Sequence, residues 1–181
     1  TAPSVDIEPN SQSIGSANVN IVRADNISLI TADAVLLHMD PEATVAANVA
    51  NGSIGTSAQP IRVAPYGGST INLEAHAHQA SAGIFIQAPQ SETALIIGDV
   101  PFFNGGVNGV QTVTSVDIEI NANVGGSTLA TNGGSSSCSF LAGSGGPICA
   151  SNGNITLTAS SDININNFVS VGDNHNLNVT A

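Results

Sequence analysis

Apolar and polar residues alternate with a period of two in short runs along most of the chain. Val19-Asn20-Ile21, Ile27-Ser28-Leu29, Ile71-Asn72-Leu73-Glu74-Ala75 and Val116-Asp117-Ile118-Glu119-Ile120 all do so. The last stretch repeats the pattern in Ile155-Thr156-Leu157, Ile163-Asn164-Ile165 and Leu177-Asn178-Val179. Successive side chains of a strand point to opposite faces, so each run predicts a short strand with one apolar and one wet face. Val35-Leu36-Leu37, Ile84-Phe85-Ile86 and Leu95-Ile96-Ile97 are denser and predict more deeply buried strands. No window sustains a helical period, and no N-cap residue opens an amphipathic run. Gly, Asn, Asp, Ser and Pro bound the runs, and corners such as Ala24-Asp25-Asn26 and Ser160-Ser161-Asp162 suit bends between strands.

The pattern therefore predicts an all-β chain. A Greek-key sandwich also uses short strands. Two features favour a parallel β-helix (β-solenoid) instead. The apolar positions are mainly Ile, Val, Leu and Ala, which stack on like residues in adjacent coils, and no Trp is present to anchor a sandwich core. One coil cannot bury its own inner face. Coils stacked about 4.8 Å apart bury a continuous core and pair their backbones in parallel ladders. Roughly 20 residues per coil would give about eight or nine coils and an axial rise of roughly 40 Å. The expectation is a single solenoid domain over residues 1–181, with Gly-rich loops protruding near 101–110 and 132–153.

Composition narrows the function classes. Charged residues are only 8% of the chain and aromatics 3%, so Asn, Ser, Thr and Gly must solvate the surface. The formal charge is −11, and Arg23 and Arg62 are the only basic side chains. Nucleic-acid binding needs a basic patch and is excluded; anionic membrane surfaces are disfavoured for the same reason. No run approaches the roughly 18 apolar residues of a membrane span. The opening Thr1-Ala2-Pro3-Ser4 lacks the basic start and apolar region of a signal peptide, which reads as a mature product or an excised piece. Cys138 and Cys149 flank a Gly/Ser-rich stretch and read as a disulfide in an oxidising compartment. Closing so short a loop would stabilise by about 2–3 kcal/mol.

Candidate chemistry is sparse. Glu74, His76 and His78 alternate and share a strand face, the residue types that zinc or copper accepts. Same-face neighbours on a flat strand converge poorly on one ion, so the expectation is a solvated polar row and no metal site. His38 and His175 lie far off in sequence. Asp6 with Glu8, and Asp117 with Glu119, each pair two carboxylates on one strand face. Glycosidases and polysaccharide lyases need acids converging in a groove, usually with basic residues or aromatic sugar platforms. Lys and Trp are absent and Tyr66 is the only Tyr, so no catalytic residue and no enzyme is expected. No cofactor is expected either; calcium is the one ion that the abundant Asp and Asn oxygens could take. Phe102 and Phe103 read as core packing. Asn-x-Ser/Thr sequons at Asn26, Asn51, Asn154 and Asn178 fit chance in so Asn-rich a chain.

Three stretches carry a family resemblance. Asn51-Gly52-Ser53-Ile54-Gly55-Thr56-Ser57-Ala58-Gln59-Pro60-Ile61-Arg62-Val63 resembles a turn-and-strand signature of filamentous-haemagglutinin-like exoproteins. Ala82-Gly83-Ile84-Phe85-Ile86 resembles the strand that follows it. The run from Gly153 to Ile165 resembles their repeats. The resemblance implies a long right-handed β-helix, exported by two-partner secretion through an outer-membrane β-barrel transporter, that serves as an adhesin, a biofilm-matrix component or a stalk. The sequence departs from the family in two ways: the Asn-Pro-Asn-Gly-type secretion motifs are absent, and cysteines are unusual in such repeats. The expected protein is a secreted, extracellular or cell-surface rod that binds a host or neighbouring-cell receptor or glycan. A self-associating filament subunit, joined by strand addition or end-to-end stacking, is the alternative; a polysaccharide-active enzyme ranks below both.

Overall fold

The computed structural model describes residues 4–7, 21–31, 53–77, 83–98, 109–112, 117–131, 148–150, 153–167 and 169–181. These form fifteen strands and, among the described residues, no helix. In chain order the strands are β1 (Ser4–Ile7), β2 (Ile21–Arg23), β3 (Asn26–Thr31), β4 (Ile61–Ala64), β5 (Thr70–Ala77), β6 (Ile84–Gln87), β7 (Ala94–Ile97) and β8 (Val110–Thr112). They continue with β9 (Ile118–Ala122), β10 (Thr128–Thr131), β11 (Ile148–Ala150), β12 (Ile155–Ala159), β13 (Ile163–Ile165), β14 (Val169–Val171) and β15 (Leu177–Thr180). The expected runs at 35–37 and the phenylalanines 102 and 103 lie outside the described residues.

Among the described residues every strand pair is parallel. β2, β4, β6, β9, β12 and β15 form a six-stranded sheet in that order. The second sheet has nine strands and forks at β5. Thr70–Leu73 pairs with β7, which leads to β10 and β13. Ala75–Ala77 pairs with β8, which leads to β11 and β14. Upstream, β3 pairs with β5 from Asn26↔Asn72 to Thr31↔Ala77, and β1 pairs with β3.

The register sets like residues over like. Ile84, Ile118, Ile155 and Leu177 occupy successive levels of the six-stranded sheet, and Ile61, Ile86, Ile120, Leu157 and Val179 form the row beside them. Ile71, Leu95, Leu129 and Ile163 do the same in one arm of the fork, and Ala75, Val110, Ile148 and Val169 in the other. Apart from Leu177 and Val179, which are exposed, these rows meet in one hydrophobic cluster, with most members fully buried. Burying an Ile or Leu side chain contributes about 1.5–3 kcal/mol, so the rows are the main source of stability.

Corners are held by polar ladders that use one level to satisfy the next. Thr93 N donates to Ser127 Oγ at 3.2 Å, and Ser127 N donates to Ser160 Oγ at 2.9 Å. The serine hydroxyls donate onward to Gln90 O and Val124 O, both at 3.0 Å. Thr131, buried at another corner, accepts from Asn166 N at 2.9 Å and Asn167 N at 3.0 Å. Asn72 Nδ2 donates to Asn26 Oδ1 at 2.9 Å. Asp25 Oδ1 accepts from Tyr66 N at 2.9 Å and Gly67 N at 3.2 Å. Such bonds satisfy backbone groups that bends leave outside the ladders.

Within the stretch expected as a loop near 132–153, Ile148–Ala150 is a strand between β8 and β14 with all three residues buried; residues 132–147 lie outside the described residues. Val110, at the end of the stretch near 101–110, opens β8, and Gly109 N donates to Gly98 O at 3.2 Å; residues 99–108 lie outside the described residues. Among the described residues the six-stranded sheet has six strands, which at about 4.8 Å spacing span about 24 Å. The step from Ile155 to Leu177 holds little but strands and corners.

Candidate interaction surface

The outward face of the six-stranded sheet carries two rows. Phe85, Glu119, Thr156 and Asn178 form one; Arg62, Gln87, Asn121, Thr158 and Thr180 form the other. Against the upper part of these rows stands the turn that precedes β4. Ile54 bridges to Ile84, and the chain then bends through Gly55, whose φ is 72°. Thr56 N and Gln59 N each donate to the other's carbonyl oxygen at 3.0 Å, and Gln59 N also reaches Thr56 Oγ1 at 3.0 Å. The turn is thus fastened to itself and to the sheet.

Turn and sheet together enclose a cleft of about 230 Å³, lined by Ser57, Pro60, Phe85, Ile86, Gln87, Glu119 and Asn121. Phe85, Gln87, Glu119 and Asn121 are half-buried and form a two-by-two array on adjacent strands. Asn121 Oδ1 accepts from Asn123 N at 2.9 Å, which fixes the amide and leaves its NH2 as a donor. The side chains of Gln87 and Glu119 make no hydrogen bond or ion pair among the described residues. Nearby, Arg62 Nε is shielded from solvent without a hydrogen-bond partner.

The sequence-level candidates fall apart in space. Glu74 and His76 do share a face of β5, but they are not a solvated row: they are 1% and 2% exposed. Alternation places both on one face of the strand, and that face is buried rather than wet. Both side chains interact within the molecule, as a buried carboxyl or imidazole must. His78 and His38 lie outside the described residues, and His175 sits in the bend before β15. Among the described residues no group of three or more His, Cys, Asp or Glu side chains could hold a metal ion.

The acid pairs are also divided. Glu8 lies outside the described residues, and only the backbone of Asp6 is described. Asp117 heads a corner ladder: its Oδ1 accepts from Asn154 N at 2.8 Å and Asn154 Nδ2 at 3.0 Å. Asn154 Oδ1 in turn accepts from Asn176 N at 2.9 Å and Asn176 Nδ2 at 3.4 Å. Asp117 therefore works structurally, while Glu119 points into the cleft. Of the sequon asparagines, Asn26 and Asn154 commit their amides to ladders, Asn178 is exposed on β15, and Asn51 lies outside the described residues. Cys149 is buried in β11 and is not a free thiol; Cys138 lies outside the described residues.

Sequence reasoning missed the cleft. Phe85 reads as core within Ile84-Phe85-Ile86, and the only signal for a wall beside it was the Gly55–Pro60 turn. No protein-family model matches the chain, and no curated protein or solved structure is significantly similar to it. No helix among the described residues is long and apolar enough to cross a membrane.

Proposed function

We propose that the chain is a segment of a secreted, right-handed parallel β-solenoid, related to filamentous-haemagglutinin-like exoproteins, that acts outside the cell as a stiff adhesive rod. The observation that carries this reading is parallel pairing combined with alternating burial. Parallel sheets are ordinarily covered on both faces and read as continuous apolar runs. Here β9 and β12 alternate buried and half-buried positions, so parallel strands keep one wet face. Coils wound around a shared aliphatic interior produce that combination, because each inner face is buried by the rest of its own coil and by its neighbours. An outer surface rich in Asn, Thr and Ser then presents hydroxyls and amides to receptors or glycans.

Export through an outer-membrane transporter and a Cys138–Cys149 disulfide belong to the same proposal, and the buried, bonded state of Cys149 supports the latter. The test is adhesion of beads coated with the purified chain to epithelial cells and to biofilm matrix, with the soluble chain as competitor. Retention above albumin-coated beads, abolished by competitor, is expected. Retention equal to albumin removes the adhesive role.

A filament subunit has one observation of its own. β15 is paired only to β12 among the described residues, and Leu177, Val179 and Ile165 are 42%, 44% and 44% exposed. Such an edge accepts a further parallel strand. Electron microscopy across a concentration series separates the readings: filaments support the subunit, and discrete particles at every concentration remove it.

A further inference from the structure

We infer that the cleft between the Gly55–Pro60 turn and strands β6 and β9 binds one neutral pyranose ring of a cell-surface glycan. This rests on the adhesive reading and gives it a site. The argument starts from unspent hydrogen-bonding capacity. Gln87 offers a donor and an acceptor, Glu119 an acceptor, and Asn121 a donor already oriented by its bond from Asn123 N. Around these groups stand Ser57, with its hydroxyl, and the apolar surfaces of Phe85 and Pro60. An occupant must therefore present adjoining hydroxyls that both donate and accept, together with an apolar C–H face for the phenyl ring. A pyranoside has that distribution.

Size and charge narrow the choice. A volume near 230 Å³ lies below the roughly 300–1,000 Å³ of sites for drug-sized ligands, which limits the occupant to about one ring. Arg62 stands beside Gln87 on the next strand but is not part of the lining. That lining contains a carboxylate and no basic side chain, in a chain of charge −11, so sialic and uronic acids are disfavoured. One carboxylate without a second anionic ligand is a poor cation site, and no metal-holding group occurs among the described residues. The wall is preformed, since the turn closes on itself through three backbone-anchored bonds of 3.0 Å. Binding therefore need not order a loose loop.

Saturation-transfer NMR on the intact chain tests the assignment with methyl β-galactoside, methyl α-mannoside, methyl β-glucoside and N-acetylglucosamine as probes, and N-acetylneuraminic acid as the anionic comparison. At least one neutral probe is expected to bind with a millimolar dissociation constant, and the acid is expected to bind more weakly. Gln87→Ala and Glu119→Gln should each weaken that probe several-fold while leaving the circular dichroism and melting curve unchanged. Phe85→Ala should abolish binding, and the two polar variants keep the test decisive if Phe85→Ala also loosens the fold. Silence from every neutral probe, preference for N-acetylneuraminic acid, or unchanged affinity in both polar variants overturns the assignment. Those results leave bead adhesion intact, whereas failed bead retention with sugar binding preserved counts against the adhesive reading alone.

Discussion

Of Gly55, Gly68 and Gly126, a single methyl group should cost most at Gly55. Its φ of 72° lies in the left-handed region. A Cβ there would stand 2.7 Å from Phe85 O, 2.9 Å from Ile61 N and 3.2 Å from Gln59 O. The left-handed conformation alone costs a non-glycine residue about 1–2 kcal/mol. The two closest contacts are backbone atoms, which cannot rotate away as a side chain can. Relieving them means moving the turn off β6, and the Phe85 N to Ile54 O bond of 2.8 Å is the first link strained. A lost bond adds about 0.5–1.5 kcal/mol, so Gly55→Ala should cost roughly 2–4 kcal/mol. Two other glycines separate the causes. Gly126 has a φ of 75° but meets only Glu92 Cγ at 3.4 Å, the flexible part of a side chain, and Glu92 Cα at 4.0 Å. Gly126→Ala should therefore cost only the conformational part, about 1–2 kcal/mol. Gly68 has nothing within 4 Å, and Gly68→Ala should change stability by less than about 1 kcal/mol. Urea unfolding followed by circular dichroism would rank the three by midpoint at constant slope. A Gly55→Ala midpoint no lower than that of Gly126→Ala refutes the close-approach argument, and one equal to Gly68→Ala refutes the turn geometry as well.

Four further outcomes are expected. Ile120, fully buried between Ile86 and Leu157, should lose about 2–5 kcal/mol as Ile120→Ala, read from the same urea midpoint. Asn154→Ala should cost about 1–2 kcal/mol by breaking the Asp117–Asn154–Asn176 ladder, and Asn154→Asp more, since an acceptor would replace the amide donor 3.0 Å from Asp117 Oδ1; thermal melts at neutral pH decide the order. Arg62→Met should leave stability unchanged or raise it by up to about 1 kcal/mol, because it removes a shielded Nε without a partner; a fall in melting temperature would contradict this. Reduction with dithiothreitol should lower stability by about 2–3 kcal/mol if Cys138 bridges Cys149, and non-reducing peptide mapping should recover the linked pair.

The alternating runs made most of the strands legible. Ile71 to Ala75, Ile118 to Ile120, Ile155 to Leu157 and Leu177 to Val179 all fall within strands. Alternation records which face is apolar, however, and says nothing of what lies against it. Leu177 and Val179 have the same pattern as Ile155 and Leu157 yet are exposed, because no described strand stacks beyond β15. Glu74 and His76 err in the opposite sense, reading as wet and lying buried. β11 was hidden for a different reason. Ile148-Cys149-Ala150 is too short to show a period and follows Gly145-Gly146-Pro147, so only its neighbours β8 and β14 define it as a strand. The cleft was illegible because Phe85 and Glu119 are far apart in sequence, and the register alone sets them side by side.

Stacking also accounts for the composition. On parallel strands about 4.8 Å apart, each outward side chain has its register partner directly above and below, and like charges so placed repel. Amides and hydroxyls tolerate such repetition, since each can donate to one level and accept from the next. The Asp117–Asn154–Asn176 ladder admits one carboxylate because it occupies the acceptor end; a second acid below it would remove the donor. A surface built under this rule carries few charges, in keeping with 8% charged residues. The same rule marks the exceptions. In the outward rows of the six-stranded sheet, Thr156, Thr158, Asn178 and Thr180 obey it, whereas Phe85 and Glu119 break it as neighbours on adjacent strands. Neither contributes to a polar ladder, and both line the cleft beside the Gly55–Pro60 turn. Stacking is thus least served beside the cleft, the site proposed above for a sugar ring.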